Sequence, residues 1–105
     1  MNPAGTRGLL PIMPIGVLTL EIHLPYAHSL KEKRLAVRKI KDRLRARFNV
    51  SVAELDHQDL WQRSLLGVVT ISSDQRNLEI VLEAVERESA RVLGGDLIAT
   101  ETNFF

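Results

Sequence analysis

Hydrophobic and polar positions alternate strictly from Ile15 to His23. Leu18, Leu20 and Ile22 fall on one side and Val17, Thr19, Glu21 and His23 on the other. This period of two predicts a strand with one buried face. Pro25 ends it, and a short linker leads to Ser29, where the period changes. Leu30, Val37, Ile40, Leu44 and Phe48 recur at helical spacing through Phe48, with Ser29 placed to cap the free N–H groups of the first turn. Asn49 to Glu54 alternates again, with Val50 and Val52 on one face, and an irregular polar segment, LDHQDLWQR, follows. Ser64 to Ser72 predicts a strand that is apolar on both faces, Leu66 and Val68 on one and Leu65, Val69 and Ile71 on the other. Ser72, Ser73 and Asp74 are overlapping cap candidates for a second helix, with Gln75 placed to complete a capping box on Ser72. Leu78, Val81, Leu82, Val85 and Val92 form the inner stripe of that helix, and Gly94-Gly95 stops it. Asp96 to Thr102 is a final short strand.

The order β-α-β-β-α-β predicts an α+β, ferredoxin-like sandwich: four antiparallel strands in spatial order 4-1-3-2 with both helices on one face. Residues 15–105 read as a single domain. Residues 1–14, rich in Gly and Pro, read as a flexible extension, with no convincing targeting segment. The apolar run Ile15–Ile22 is too short to span a bilayer and contains Glu21, so no membrane is expected. The face of the sheet away from the helices, with Val17, Thr19 and residues of the third strand, reads as partly apolar. Such patches mark partners, and a homodimer or higher homo-oligomer through that face or an edge strand is expected.

Charge changes this picture at one place. The net charge of +1 conceals an asymmetry, because Ser29–Phe48 holds nine of the fourteen Lys and Arg residues and only two acids, Glu32 and Asp42. Lys31, Arg34, Arg38, Lys41 and Arg45 line up at spacings of three and four beside the apolar stripe. Right-handed crossovers place this ridge toward the second-strand edge, and Glu79, Glu83 and Glu86 of the second helix toward the opposite edge. The two arrays should not neutralise each other. A solvated face is one reading of the ridge. A surface tracking RNA phosphates is the other, and five such contacts predict a salt slope of about −4.5. Neither central strand offers an aromatic for base stacking on the sheet, so RNA would be held through the helix and by shape.

A second candidate is the loop Asp56, His57, Gln58, Asp59, Leu60, Trp61, Gln62 and Arg63, which carries the chain's single tryptophan. One reading makes Leu60 and Trp61 an apolar anchor with Asp56 and Asp59 as turn formers. A recognition loop beside the ridge comes second, and a metal or catalytic site built on His57 with Asp56, Asp59 or His23 third. The chain has no cysteine, which excludes disulfides, thiolate metal sites and cysteine nucleophiles. It has no phosphate-cradling glycine loop and no nucleophile elbow. No metal, no cofactor and no catalytic residue is expected.

SLKEKR at 29–34 and RFNVSVAELDHQDLWQR at 47–63, with LGV at 66–68, closely resemble the small bacterial YlxP-like proteins, a family of unknown function. The resemblance covers roughly residues 15–102. It implies a cytoplasmic ferredoxin-like protein whose genes often lie near those for translation initiation and ribosome maturation. Taken with the ridge, it makes a non-enzymatic RNA- or ribosome-associated module the expectation. The alternative is a protein-interaction or homo-oligomerisation module whose helix charge only solubilises.

Overall fold

The computed structural model of the protein describes residues 14–105. The extension read over residues 1–14 therefore lies, but for Pro14, outside the described residues. The elements follow the expected order: β1 (Ile15–His23), α1 (Leu30–Arg47), β2 (Ser51–Asp56), β3 (Arg63–Ile71), α2 (Gln75–Leu93), a single 3-10 turn (Gly94–Asp96) and β4 (Leu97–Phe104). The strands form one sheet in the order β2-β3-β1-β4, every neighbouring pair antiparallel, so the topology is the ferredoxin-like one.

Register explains which side of the sheet is buried. Leu18, Leu20 and Ile22 stand opposite Val68, Leu66 and Ser64. Cross-strand partners share a face, so all six point toward the helices and all are buried. Val37, Ile40 and Leu44 of α1 and Leu78, Leu82 and Val85 of α2 close this layer from above. Gly16 sets how closely α2 can approach, since a Cβ there would lie 2.6 Å from Leu82 Cδ1.

The helix ends are specified locally. Ser29 Oγ accepts from Glu32 N at 3.1 Å, and Glu32 Oε2 accepts from His28 N at 2.8 Å, a reciprocal cap. The second helix is capped by Asp74, whose carboxylate accepts from Arg76 N at 3.1 Å, and not by the Ser72–Gln75 box. Ser72 Oγ instead accepts from Asp74 N and the Asn77 amide, and Ser72 N, which a Gln75 side chain would have capped, donates to Pro14 O. Gly94, at φ 55°, ends α2 in the left-handed region that glycine enters freely. β4 runs two residues beyond the expected Thr102, since Asn103 and Phe104 find partners in Val17 and Gly16.

On the open face, Leu55, Val69 and Ile71 are exposed. Val17, Ala53, Leu55, Gly67 and Val69 line a shallow apolar hollow of about 190 Å³.

Candidate nucleic-acid interface

Both helices place one charged side chain in the apolar stripe, and these two residues organise the surface. Lys33 lies between Leu30 and Val37 on the inner face of α1 and is fully buried. Its Nζ sits 2.7 Å from Glu54 Oε2 and donates to His57 O at 2.7 Å and Gln58 O at 3.2 Å. Glu54 Oε2 also accepts from Ser64 Oγ at 2.7 Å. An ammonium out of water is tolerated only when paired and fully hydrogen-bonded, and this one has a carboxylate and two carbonyls. Glu88, between Val85 and Val92 on α2, is likewise buried. Its Oε2 accepts from Arg43 Nε at 2.7 Å and Arg91 Nη2 at 2.8 Å, and Arg47 Nη1 lies 3.6 Å from Oε1. Hydrogen bonds from Arg91 and Arg43, reinforced by the Arg47 charge, hold this carboxyl at about 2 against an ordinary value of 4.5.

These attachments sort the cations of α1. Arg43 and Arg47, which lie off the ridge, cross to Glu88 of α2, while no ion pair joins the ridge to Glu79, Glu83 or Glu86 among the described residues. The ridge itself does face away. Arg34, Arg38, Lys41 and Arg45 line one hollow with Glu54 at the β2 edge. Glu79, Glu83 and Glu86 line another with Thr102 and Phe104 at the β4 edge. Arg45 is partly committed, donating to Val52 O at 3.0 Å and standing 3.8 Å from Asp42. Among the described residues, Lys31, Arg34, Arg38 and Lys41 have no carboxylate within ion-pair distance. Lys31 to Lys41 spans ten residues, about 15 Å of helix.

The loop after β2 is fastened to the start of α1. His57 adopts φ 67°, a conformation that costs a non-glycine residue about 1–2 kcal/mol. Its carbonyl accepts from Lys33 Nζ and from Leu60 N at 3.0 Å, and its N–H donates to Asp56 Oδ1 at 2.7 Å, which over-determines the turn. Gln62 donates its amide to Pro25 O at 3.1 Å and Ala27 O at 3.2 Å, and Leu24 N donates to Gln62 O at 2.9 Å. Arg63 pairs with Glu21, whose Oε1 lies 3.7 Å from His57 Nε2.

The loop's anchor is therefore polar. Leu60 and Trp61, read from sequence as the apolar anchor, are 49% and 52% exposed. A buried lysine and a glutamine amide already hold the loop, so no apolar anchor is required. Asp59, Leu60, Trp61, Gln62 and Arg63 line an open hollow of about 490 Å³. The fold brings His57 within 3.7 Å of Glu21 Oε1 and 3.9 Å of Asp56 Oδ1. Among the described residues no three His, Asp or Glu side chains are grouped to hold a metal ion.

Lys33 and Glu88 are the organising residues that sequence reasoning missed. The signal was available, since each is a charge inside an otherwise apolar helical stripe, which burial forces to find partners.

A ferredoxin-like α+β sandwich with a basic flank and a lysine-fastened loop is thus the class of protein defined here. The chain belongs to the family described as "Protein of unknown function (DUF503)", whose model matches residues 15–102. It is 39% identical over 71 residues to the Bacillus subtilis (strain 168) protein named "Uncharacterized protein YlxP", covering 68% of this chain and 77% of that one. No helix among the described residues is long and apolar enough to cross a membrane.

Proposed function

We propose that the protein is a non-enzymatic RNA- or ribosome-associated module of the cytoplasm that holds phosphate backbone along α1. One observation carries this reading: Lys31, Arg34, Arg38 and Lys41 form a line of cations without carboxylate partners among the described residues, while Lys33, Arg43 and Arg47 of the same helix are paired and Lys39, also without an ion pair, stands off the line beside Tyr26 and Ile40. Like charges at i, i+4 are mutually unfavourable by about 0.2–0.5 kcal/mol, and successive phosphates relieve that repulsion. Over about 15 Å a strand carrying a phosphate every ~3.4 Å presents four or five of them.

With Arg45 committed elsewhere, four contacts replace five. The salt slope becomes about −3.6 on a duplex, or about −2.8 on a single strand. Affinity then falls about 150-fold or about 50-fold between ~50 and ~200 mM salt. The test is fluorescence anisotropy with a labelled hairpin RNA, together with co-sedimentation on ribosome gradients. Reversing Arg34, Arg38 and Lys41 to Glu should abolish both, whereas Arg87→Glu, on an exposed face of α2, should leave them nearly unchanged. Equal binding by the triple reversal and the wild type would overturn the proposal.

A second reading rests on Leu55, Val69 and Ile71, exposed on the open sheet face. They support self-association of two copies through that face, in keeping with the tendency of contiguous apolar patches to mark interfaces. Sedimentation equilibrium decides it: only monomer at high micromolar concentration would remove this reading without touching the first.

A further inference from the structure

We infer that Trp61 is a stacking platform for an unpaired base of the RNA whose phosphates run along α1, so that the ligand is a strand with a duplex–single-strand junction or an open loop. The inference rests on the ridge reading above and adds a base contact to it.

Trp61 is the chain's single tryptophan and is half exposed beside an equally exposed Leu60. Tryptophan is highly buried on average, so a tryptophan outside the core is the informative case. Base stacking needs an aromatic face already in place, and the loop is fixed before any ligand arrives. Lys33 Nζ holds the carbonyls of His57 and Gln58, and the Gln62 amide holds those of Pro25 and Ala27. Binding there avoids the ordering free energy that a mobile loop would lose. The fasteners also locate the platform. Lys33 stands on α1 between Lys31 and Arg34, so the loop is tied to the N-terminal end of the ridge.

Charge separates the two surfaces. The ridge is cationic and suits phosphate. The hollow beside Trp61 is lined by Arg63, whose guanidinium is paired with Glu21, and by Asp59, a carboxylate that repels phosphate but accepts hydrogen bonds from the amino groups of bases. An aromatic face next to an acceptor is the combination that recognises a splayed-out base. It occurs here off the sheet, whose open face carries Val17, Thr19 and Glu21 on β1 and Leu65, Gly67 and Val69 on β3 in place of aromatics.

A single tryptophan makes the test direct. Two RNA duplexes of identical sequence, each annealed from two separate strands so that neither carries a loop, one blunt and one with a single-stranded overhang, are titrated into the full chain. Tryptophan fluorescence and the anisotropy of the labelled RNA are followed together. The overhang RNA should quench Trp61 and bind more tightly than the blunt one. Trp61→Ala should remove that advantage, a loss of about 5- to 150-fold, while Trp61→Phe keeps part of it and the salt slope stays the same. Ridge-dependent binding that is indifferent to the overhang and to Trp61→Ala would overturn the stacking platform and leave the ridge standing. Absence of binding by either RNA at low salt would overturn both. Nuclease-resistant capture of a protein, lost in Trp61→Ala, would overturn it in favour of a protein-docking loop.

Discussion

Lys33 is the residue on which loop position and fold stability meet, and replacing it with Met isolates its charge from its bulk. The side chain is fully buried, and methionine fills nearly the same volume. What disappears is the ammonium, 2.7 Å from Glu54 Oε2 and from His57 O, and 3.2 Å from Gln58 O. Glu54 is then left with the Ser64 hydroxyl alone. Breaking a buried pair from one side typically destabilises by about 3–5 kcal/mol. The Glu54 side chain keeps 18% of its exposure, so water reaches it and the lower end, about 3 kcal/mol, applies. A domain of this size has about 5–15 kcal/mol in total. The melting temperature should fall by ~12–24 °C, at about 4–8 °C per kcal/mol.

The assay is urea unfolding followed by far-UV circular dichroism, with hydrogen exchange at residues 57–60 as the local readout. The double variant Lys33→Met/Glu54→Gln keeps an acceptor for Ser64 and removes the stranded carboxylate. It should recover roughly half of the loss or more, because most of the penalty lies in the unpaired charge. A Lys33→Met loss below ~1 kcal/mol with unchanged exchange at residues 57–60 would refute the reasoning.

Two further predictions follow from the packing and the second buried charge. The Glu88 carboxyl is held at about 2 against 4.5, so its contribution is present above 4.5 and is lost as pH falls toward 2. Glu88→Gln should flatten the stability profile in that window, checked by urea titrations at each pH. Equal slopes for both proteins would contradict the three-arginine arrangement. At Gly16 a Cβ would meet Leu82 Cδ1 at 2.6 Å, and Leu82 is itself buried. Gly16→Ala should therefore destabilise by about 1–3 kcal/mol through overpacking, as measured by thermal melting, and Leu82→Val in the same chain should relieve part of it.

The fold was largely legible because period two and period 3.6 report burial directly, and burial is what the sheet and the helices share. The alternation of Ile15–His23 and the stripe Val37-Ile40-Leu44 assign strand and helix with no tertiary information, and Ser29 marks the helix start through its own hydroxyl. Right-handed crossovers carry the pattern one step further, to the side of the molecule that Arg34, Arg38 and Lys41 face. The candidate site was legible only in part. Composition at Leu60 and Trp61 suggested an anchor, yet apolarity does not say whether another element will cover a residue. In this fold a lysine and a glutamine do the fastening, and the two apolar side chains stay outside.

The sequence by itself determined the element order, the sheet order and the line of cations, since each depends on residues close together along the chain or on general rules of chain handedness. Only the tertiary structure decided which cations are already paired. Glu88 lies forty-five positions from Arg43, and Lys33 reaches Glu54 near the end of β2 and the carbonyls of His57 and Gln58 in the loop that follows. Ion pairs and buried hydrogen bonds depend on distance in space, and no local period encodes it. That is why the basic segment read as one charged helix, and why folding divides it into Lys33, Arg43 and Arg47, which bind the protein together, Arg45, which is partly committed to Val52 O and Asp42, Lys39 on the flank beside Tyr26, and Lys31, Arg34, Arg38 and Lys41, which face outward.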